Sequence, residues 1–199
     1  LLIHKNAIYR KTAITIPSFD DVFNYELKNS DTFEFAVDEA DDYLRGEGED
    51  KTLSEDDFIN KVYDEAKEAL ELSYLEAKGT LPYLEGKECY RAISVKDSVS
   101  PLDVDPLGIY WSSYDQGADI YWADEKEFEK TLVFRGKIDL AKLDLLETLA
   151  VNVHNPDERE VRFEEGSPIY VYDVTEIGGE RWSSGEKEKI IPVNNWRKC

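Results

Sequence analysis

Glu158-Arg159-Glu160 sets two carboxylates one residue apart, directly ahead of Val161-Arg162-Phe163, Gly166-Ser167-Pro168 and the run Ile169-Tyr170-Val171-Tyr172-Asp173-Val174. In an extended segment, alternation would turn both acids to one face of a sheet, where a carboxylate pair can move protons or stabilise a developing positive centre. A solvated strand gives the same spacing, so partners must come from elsewhere in the chain. Two other polar interruptions of apolar runs stand out: Arg91 within Cys89-Tyr90-Arg91-Ala92-Ile93-Ser94-Val95, and Ser112-Ser113 at the end of Gly108-Ile109-Tyr110-Trp111. Arg91 must either reach water or pair with an anion, and both a structural ion pair and a ligand contact satisfy it. Ser112 and Ser113 are also ordinary turn formers that bond nearby backbone.

Several standard chemistries lack their residues. The only histidines, His4 and His154, lie far apart in sequence, and neither has cysteine or carboxylate neighbours at zinc-ligand spacing. Metal catalysis is therefore not expected. No glycine-rich phosphate loop or Gly-x-Ser-x-Gly elbow occurs, and Asp103 and Asp105 do not have calcium-loop spacing. Cys89 and Cys199 are too few for a disulfide framework, which points to a reducing, cytoplasmic setting. Leu1-Leu2-Ile3 is cut short by His4 and Lys5, so no membrane span is expected there; the absence of methionine leaves a removed leader open.

The formal net charge is −20 over 199 residues. It is concentrated: between Asp20 and Glu76 twenty acidic residues face five basic ones. Such a field disfavours nucleic acid and anionic membrane as direct partners and favours a protein with a basic surface. A solvated, solubilising face accounts equally well for the charge.

The elements that would position these residues are α+β in character. Residues 11–37 give no firm pattern, and Gly46-Glu47-Gly48-Glu49-Asp50 reads as a loop. Ser54 is an N-cap with Asp57 three residues on. Phe58, Val62, Ala66, Ala69, Leu70 and Ser73 then recur at helical spacing until Lys78-Gly79, with Pro82 beyond. After Pro82 the texture turns to β. Strands are expected over 89–95, 108–112, 131–138, 158–163, 169–174 and 189–193, with short helices over 116–122 and 140–149, the latter exposing Asp144 and Glu147. The expected organisation is an acidic, partly helical region over residues 1–80 packed on a mostly antiparallel β-rich core over 81–199, and one continuous domain over both is the alternative expectation.

Taken in chain order, the aromatic-Arg-Ala strand, the Gly-led aromatic strand ending in serines, and the Glu-x-Glu strand running through Gly-Ser-Pro resemble the Arg, Ser, Glu-x-Glu pattern of mono-ADP-ribosyltransferases over residues 83–175. The middle motif reads Trp111-Ser112-Ser113 where that family typically shows Ser-Thr-Ser. The resemblance implies an ADP-ribosyltransferase-like β core and NAD as substrate. It implies Glu160 for the ribose and its oxocarbenium-like centre, Glu158 for the acceptor, Arg91 for the diphosphate, and Ser112 or Ser113 to position ribose and Glu160. One of Tyr110, Trp111, Tyr121 and Trp122 would stack on nicotinamide. Arg91, Ser112 and Glu160 should then converge on one cleft. Transfer to a macromolecular target such as an arginine side chain, as in toxins and phage effectors, and hydrolysis of NAD share this centre. A non-enzymatic acidic protein that occupies a basic or nucleic-acid-binding surface is the rival expectation.

Overall fold

A computed structural model of the protein describes residues 14–46, 53–114, 130–157, 159–178 and 189–199. The expected helix over 116–122 lies outside the described residues, as does all but Gly46 of the expected loop. The fold is α+β: among the described residues, four α-helices accompany one six-stranded antiparallel sheet.

The N-terminal region is helical and capped. Ser18 opens α1 (Phe19–Tyr25) with a capping box: its hydroxyl accepts from the Asp21 N–H, and the Asp21 carboxylate accepts from the Ser18 N–H. α2 (Asp31–Gly46) follows a short 3-10 turn, so the segment around residues 11–37 that lacked a clear pattern is largely helix. α3 (Glu55–Thr80) begins at Ser54 as expected, its hydroxyl accepting from the Asp57 N–H. Val62, Ala66, Leu70 and Tyr74 fall every four residues on one buried stripe, and the Tyr74 hydroxyl donates to the Pro17 carbonyl at 2.6 Å. Ala66, Leu70 and Tyr74 of that stripe join Phe19, Val22, Phe23, Leu27 and Phe33 in a helical core.

The strands are β1 (Glu88–Val95), β2 (Tyr110–Ser112), β3 (Lys130–Lys137), β4 (Glu160–Arg162), β5 (Pro168–Gly178) and β6 (Lys189–Lys198). Their spatial order is β4-β2-β1-β3-β5-β6, with every neighbouring pair antiparallel. Cys89, Trp111, Leu132, Phe134, Val161, Ile169, Val171 and Val174 build a second core on one face, closed by Leu107, Leu143, Phe163 and Cys199. β3 and β5 meet closely where the register shifts at Arg135/Gly136. A Cβ on Gly136 would lie 3.0 Å from Ile169 Cδ1 and 3.1 Å from the Tyr170 carbonyl oxygen, so glycine is what fits there.

α4 (Leu145–His154) joins the halves. Leu149, Ala150 and Val153 complete the helical core, and Leu145 packs against both cores, so the helical core draws on residues well beyond position 80. Neither Asp144 nor Glu147 is a mere surface decoration. The Asp144 carboxylate caps α4, accepting from the Leu146 and Glu147 N–H groups, and Glu147 is ion-paired to Arg162. The expected exposure assumed that the helix began at Leu140; residues 140–142 form a 3-10 turn instead, which shifts the helix start and its faces. Among the described residues, no helix is long and apolar enough to cross a membrane.

Candidate active site

Register decides which side chains can meet. Tyr90 pairs with Ser112, and Ser112 with Glu160, so these three residues form one row across three neighbouring strands and share a face. Arg135 and Asp173 extend the row on the far side of β1. A cleft of about 870 Å³ opens on this face, at the end of the sheet where β1 and β4 begin and β2 ends. The last turns of α3, with Ala77 and Thr80, roof it together with Thr148, Leu149 and Asn152 of α4. Tyr90, Ser113, Tyr114, Arg159 and Glu160 line the sheet side.

Glu160 is the central acid. It is only 4% exposed, and burial of a carboxylate is tolerable because it is paired. Its Oε1 accepts from Arg162 Nε at 2.8 Å, and its backbone carbonyl accepts from Asn152 Nδ2 at 2.6 Å, which ties the edge strand to α4. Arg162 Nη1 donates in turn to Glu147 Oε2, and the Tyr25 hydroxyl donates to Glu147 Oε1. The Arg162 guanidinium lies 4.6 Å from the Tyr110 ring centroid. A charged chain thus runs from α1 through α4 to the buried acid. The hydrogen bond from Tyr25 to Glu147 pushes the phenol up to about 12.

Ser112 lies 2% exposed beside Glu160, and its Oγ accepts from the Tyr114 N–H at 3.1 Å. Ser113 holds the cleft rim: its N–H and its hydroxyl both donate to the Arg159 carbonyl, at 2.9 and 3.0 Å. At the other rim Glu88 accepts from the Tyr90 hydroxyl at 2.8 Å and the Tyr172 hydroxyl at 2.6 Å. The Tyr172 bond and then the Tyr90 bond hold the Glu88 carboxyl below its ordinary value. Arg135 sits 5.8 and 5.9 Å from the Tyr90 and Tyr172 ring centroids and 3.5 Å from Asp173 Oδ1.

The residues expected to converge are divided by the sheet. Glu160 and Ser113 line the cleft, and Ser112 lies next to Glu160 on the same face but is not part of the lining. Tyr110 shares their face but stacks on Arg162 outside the cleft wall. Trp111, 1% exposed, points into the core on the opposite face and donates to the Gly108 carbonyl. Arg91 is the main correction: it pairs with Phe134, one residue out of step with the Tyr90–Ser112–Glu160 row, and so lies on the core face. Its Nε donates to the Leu107 carbonyl at 3.3 Å, and its Nη2 lies 3.5 Å from where a Gly108 Cβ would stand. Glu158, Tyr121 and Trp122 lie outside the described residues. β4 starts at Glu160, and Arg159 just before it sits at φ 49°.

Sequence reasoning passed over Arg162, Glu147, Asn152 and Tyr90. Arg162 was open to it, since i and i+2 share a strand face and put a guanidinium beside Glu160. The other three depend on how α4 and β1 dock. Among the described residues no cluster of histidine, cysteine, aspartate and glutamate could hold a metal ion. No protein-family model matches the chain, and neither the curated proteins nor the solved structures yield a match to it.

Proposed function

We propose that the cleft binds NAD and cleaves the bond between nicotinamide and ribose, in the manner of a mono-ADP-ribosyltransferase. The observation that carries this reading is buried Glu160 on the wall of a cleft large enough for a dinucleotide, with Ser112 paired to it across the strands. As nicotinamide leaves with the bonding electron pair, positive charge develops on the ribose C1 and ring oxygen. An ionised carboxylate held in place beside them stabilises that charge without reorganising. Glu160 has that fixed geometry, gripped by Arg162 and by the Asn152 bond to its backbone. Ser113, at the rim, is the serine that lines the cleft. A nucleophile then takes the C1 position: an arginine side chain of a target protein in transfer, water in hydrolysis. Arg91 has no part in this cleft and Ser112 is not in its lining, so the reading rests on Glu160 and on Ser113 at the rim.

The test is incubation of the protein with adenylate-labelled NAD and a cell lysate, following free nicotinamide and labelled acceptor. Glu160→Gln should reduce nicotinamide release by on the order of 100-fold or more while the far-ultraviolet circular dichroism stays unchanged. If the wild-type chain releases no nicotinamide, with or without lysate, the reading is wrong.

A second reading has its own observation. α2 and α3 expose Phe35, Tyr43, Tyr63, Leu72 and Leu75 among their acids, a mixture suited to a basic protein surface that also offers apolar contacts. On this reading binding weakens with salt and is lost when Asp41, Asp42, Glu55 and Asp56 are neutralised, but survives Glu160→Gln. Binding indifferent to ionic strength would sink it.

A further inference from the structure

We infer that Arg159, seated over Tyr114, is the cleft's diphosphate contact, the role that Arg91 cannot fill; this rests on the NAD reading above. Arg159 adopts φ 49°, a left-handed conformation unfavourable for a residue with a Cβ. The strain is held by two hydrogen bonds, since the Ser113 N–H and hydroxyl both donate to the Arg159 carbonyl. Its effect is local and specific. The turn starts β4 at Glu160 and leaves the Arg159 side chain on the cleft lining, with its guanidinium 5.2 Å from the Tyr114 ring centroid.

Charge pairing sharpens the assignment. The chain carries 44 acidic residues, and Glu160 directly follows Arg159, yet the Glu160 carboxylate is bound by Arg162 instead. Arg135 and Arg162 each hold a carboxylate, whereas among the described residues Arg159 forms no ion pair. A guanidinium stacked on an aromatic ring and, among the described residues, not ion-paired is suited to receive phosphate oxygens through paired N–H donors. Lys87, on the same cleft lining, adds a second cation at the same end of the sheet. In NAD the diphosphate is attached to the ribose whose C1 is cleaved, so the groups that meet phosphate and C1 must lie close together. Arg159 and Glu160 are consecutive residues, about 3.8 Å apart at Cα.

The test is calorimetric titration of the full chain and of Arg159→Ala, Arg159→Lys and Lys87→Ala with ADP-ribose, and with adenosine as a probe lacking phosphate. Thermal melts of each variant accompany the titrations. Arg159→Ala should weaken ADP-ribose binding by on the order of tenfold or more, Arg159→Lys by an intermediate amount, and adenosine binding should move little. Where NAD is turned over, Arg159→Ala should raise KM far more than it lowers kcat. ADP-ribose affinity unchanged in a folded Arg159→Ala variant overturns the inference even if NAD is cleaved, as does failure of the wild-type chain to bind ADP-ribose. Arg159-dependent binding without nicotinamide release upholds the inference while the catalytic reading fails. Equal losses for adenosine and ADP-ribose overturn it as well, because they would mean that Arg159 only shapes the cleft.

Discussion

The two faces of the sheet are drawn from the same strands and differ in almost everything else. On one face Cys89, Trp111, Phe134, Val161 and Val174 meet in a closed apolar core. On the other, Tyr90, Ser112, Arg135, Glu160, Arg162 and Asp173 form hydrogen bonds and ion pairs around a cleft. Adjacent residues in the chain therefore have unrelated roles: Trp111 is core and Ser112 is site, Arg91 binds a loop carbonyl and Tyr90 lines the cleft. The lesson is that a polar residue in a strand acquires a function only through the face it is dealt. Arg91 and Glu160 look like parts of one site in sequence and are separated by the thickness of the sheet.

The contrast can be broken by substitution, and the largest effect belongs to the core face. Phe134→Ala removes a fully buried ring and should cost about 3–5 kcal/mol in urea denaturation, yet the molecules that remain folded should bind ADP-ribose normally. A collapse of affinity without loss of stability would show that the faces are not independent. Arg162→Gln comes next. It leaves Glu160 and Glu147 without their shared cation, and with the Arg162 side chain 21% exposed the cost should be about 2 kcal/mol, with nicotinamide release falling in parallel. Full retention of stability would mean that the charged chain from Tyr25 to Glu160 is not a support for the acid.

Arg91→Met tests the division directly. Loss of the hydrogen bond to the Leu107 carbonyl should cost about 1 kcal/mol and leave ADP-ribose affinity unaltered. A folded Arg91→Met protein that no longer binds nucleotide would return Arg91 to the site. The smallest effect is Tyr172→Phe on the cleft face. Glu88 titrates below its ordinary value of 4.5 in the folded protein, so its contribution to stability is present above that value and is lost as pH falls through the depressed folded value. Without the Tyr172 hydroxyl the wild-type advantage should be at most about 1 kcal/mol near neutral pH and should vanish below the folded titration. A difference that does not vary with pH would assign the hydroxyl a role other than holding the Glu88 charge.

α3 was the most legible element. Ser54, Asp57 and the recurrence from Phe58 to Ser73 specify the start and buried side of α3, because capping and the 3.6-residue period are local properties. Most strands were legible for the same reason: β-branched and aromatic runs bounded by glycine, proline and serine announce themselves wherever they end up. The opening helices were hidden because Phe19, Val22, Phe23 and Phe33 are diluted by acids, and their burial depends on α3 and α4 being in place.

At the candidate site, sequence alone determined the chemical types: an acid followed by an arginine two residues on, serines at a strand end, and a chain so acidic that any cation not bound to a carboxylate stands out. Only the tertiary structure decided which of them meet. Strand pairing is a long-range choice, and a one-residue difference in register moves every side chain to the other face. That choice put Ser112 beside Glu160, turned Arg91 into the core, and left Arg159 at a left-handed turn on the cleft wall.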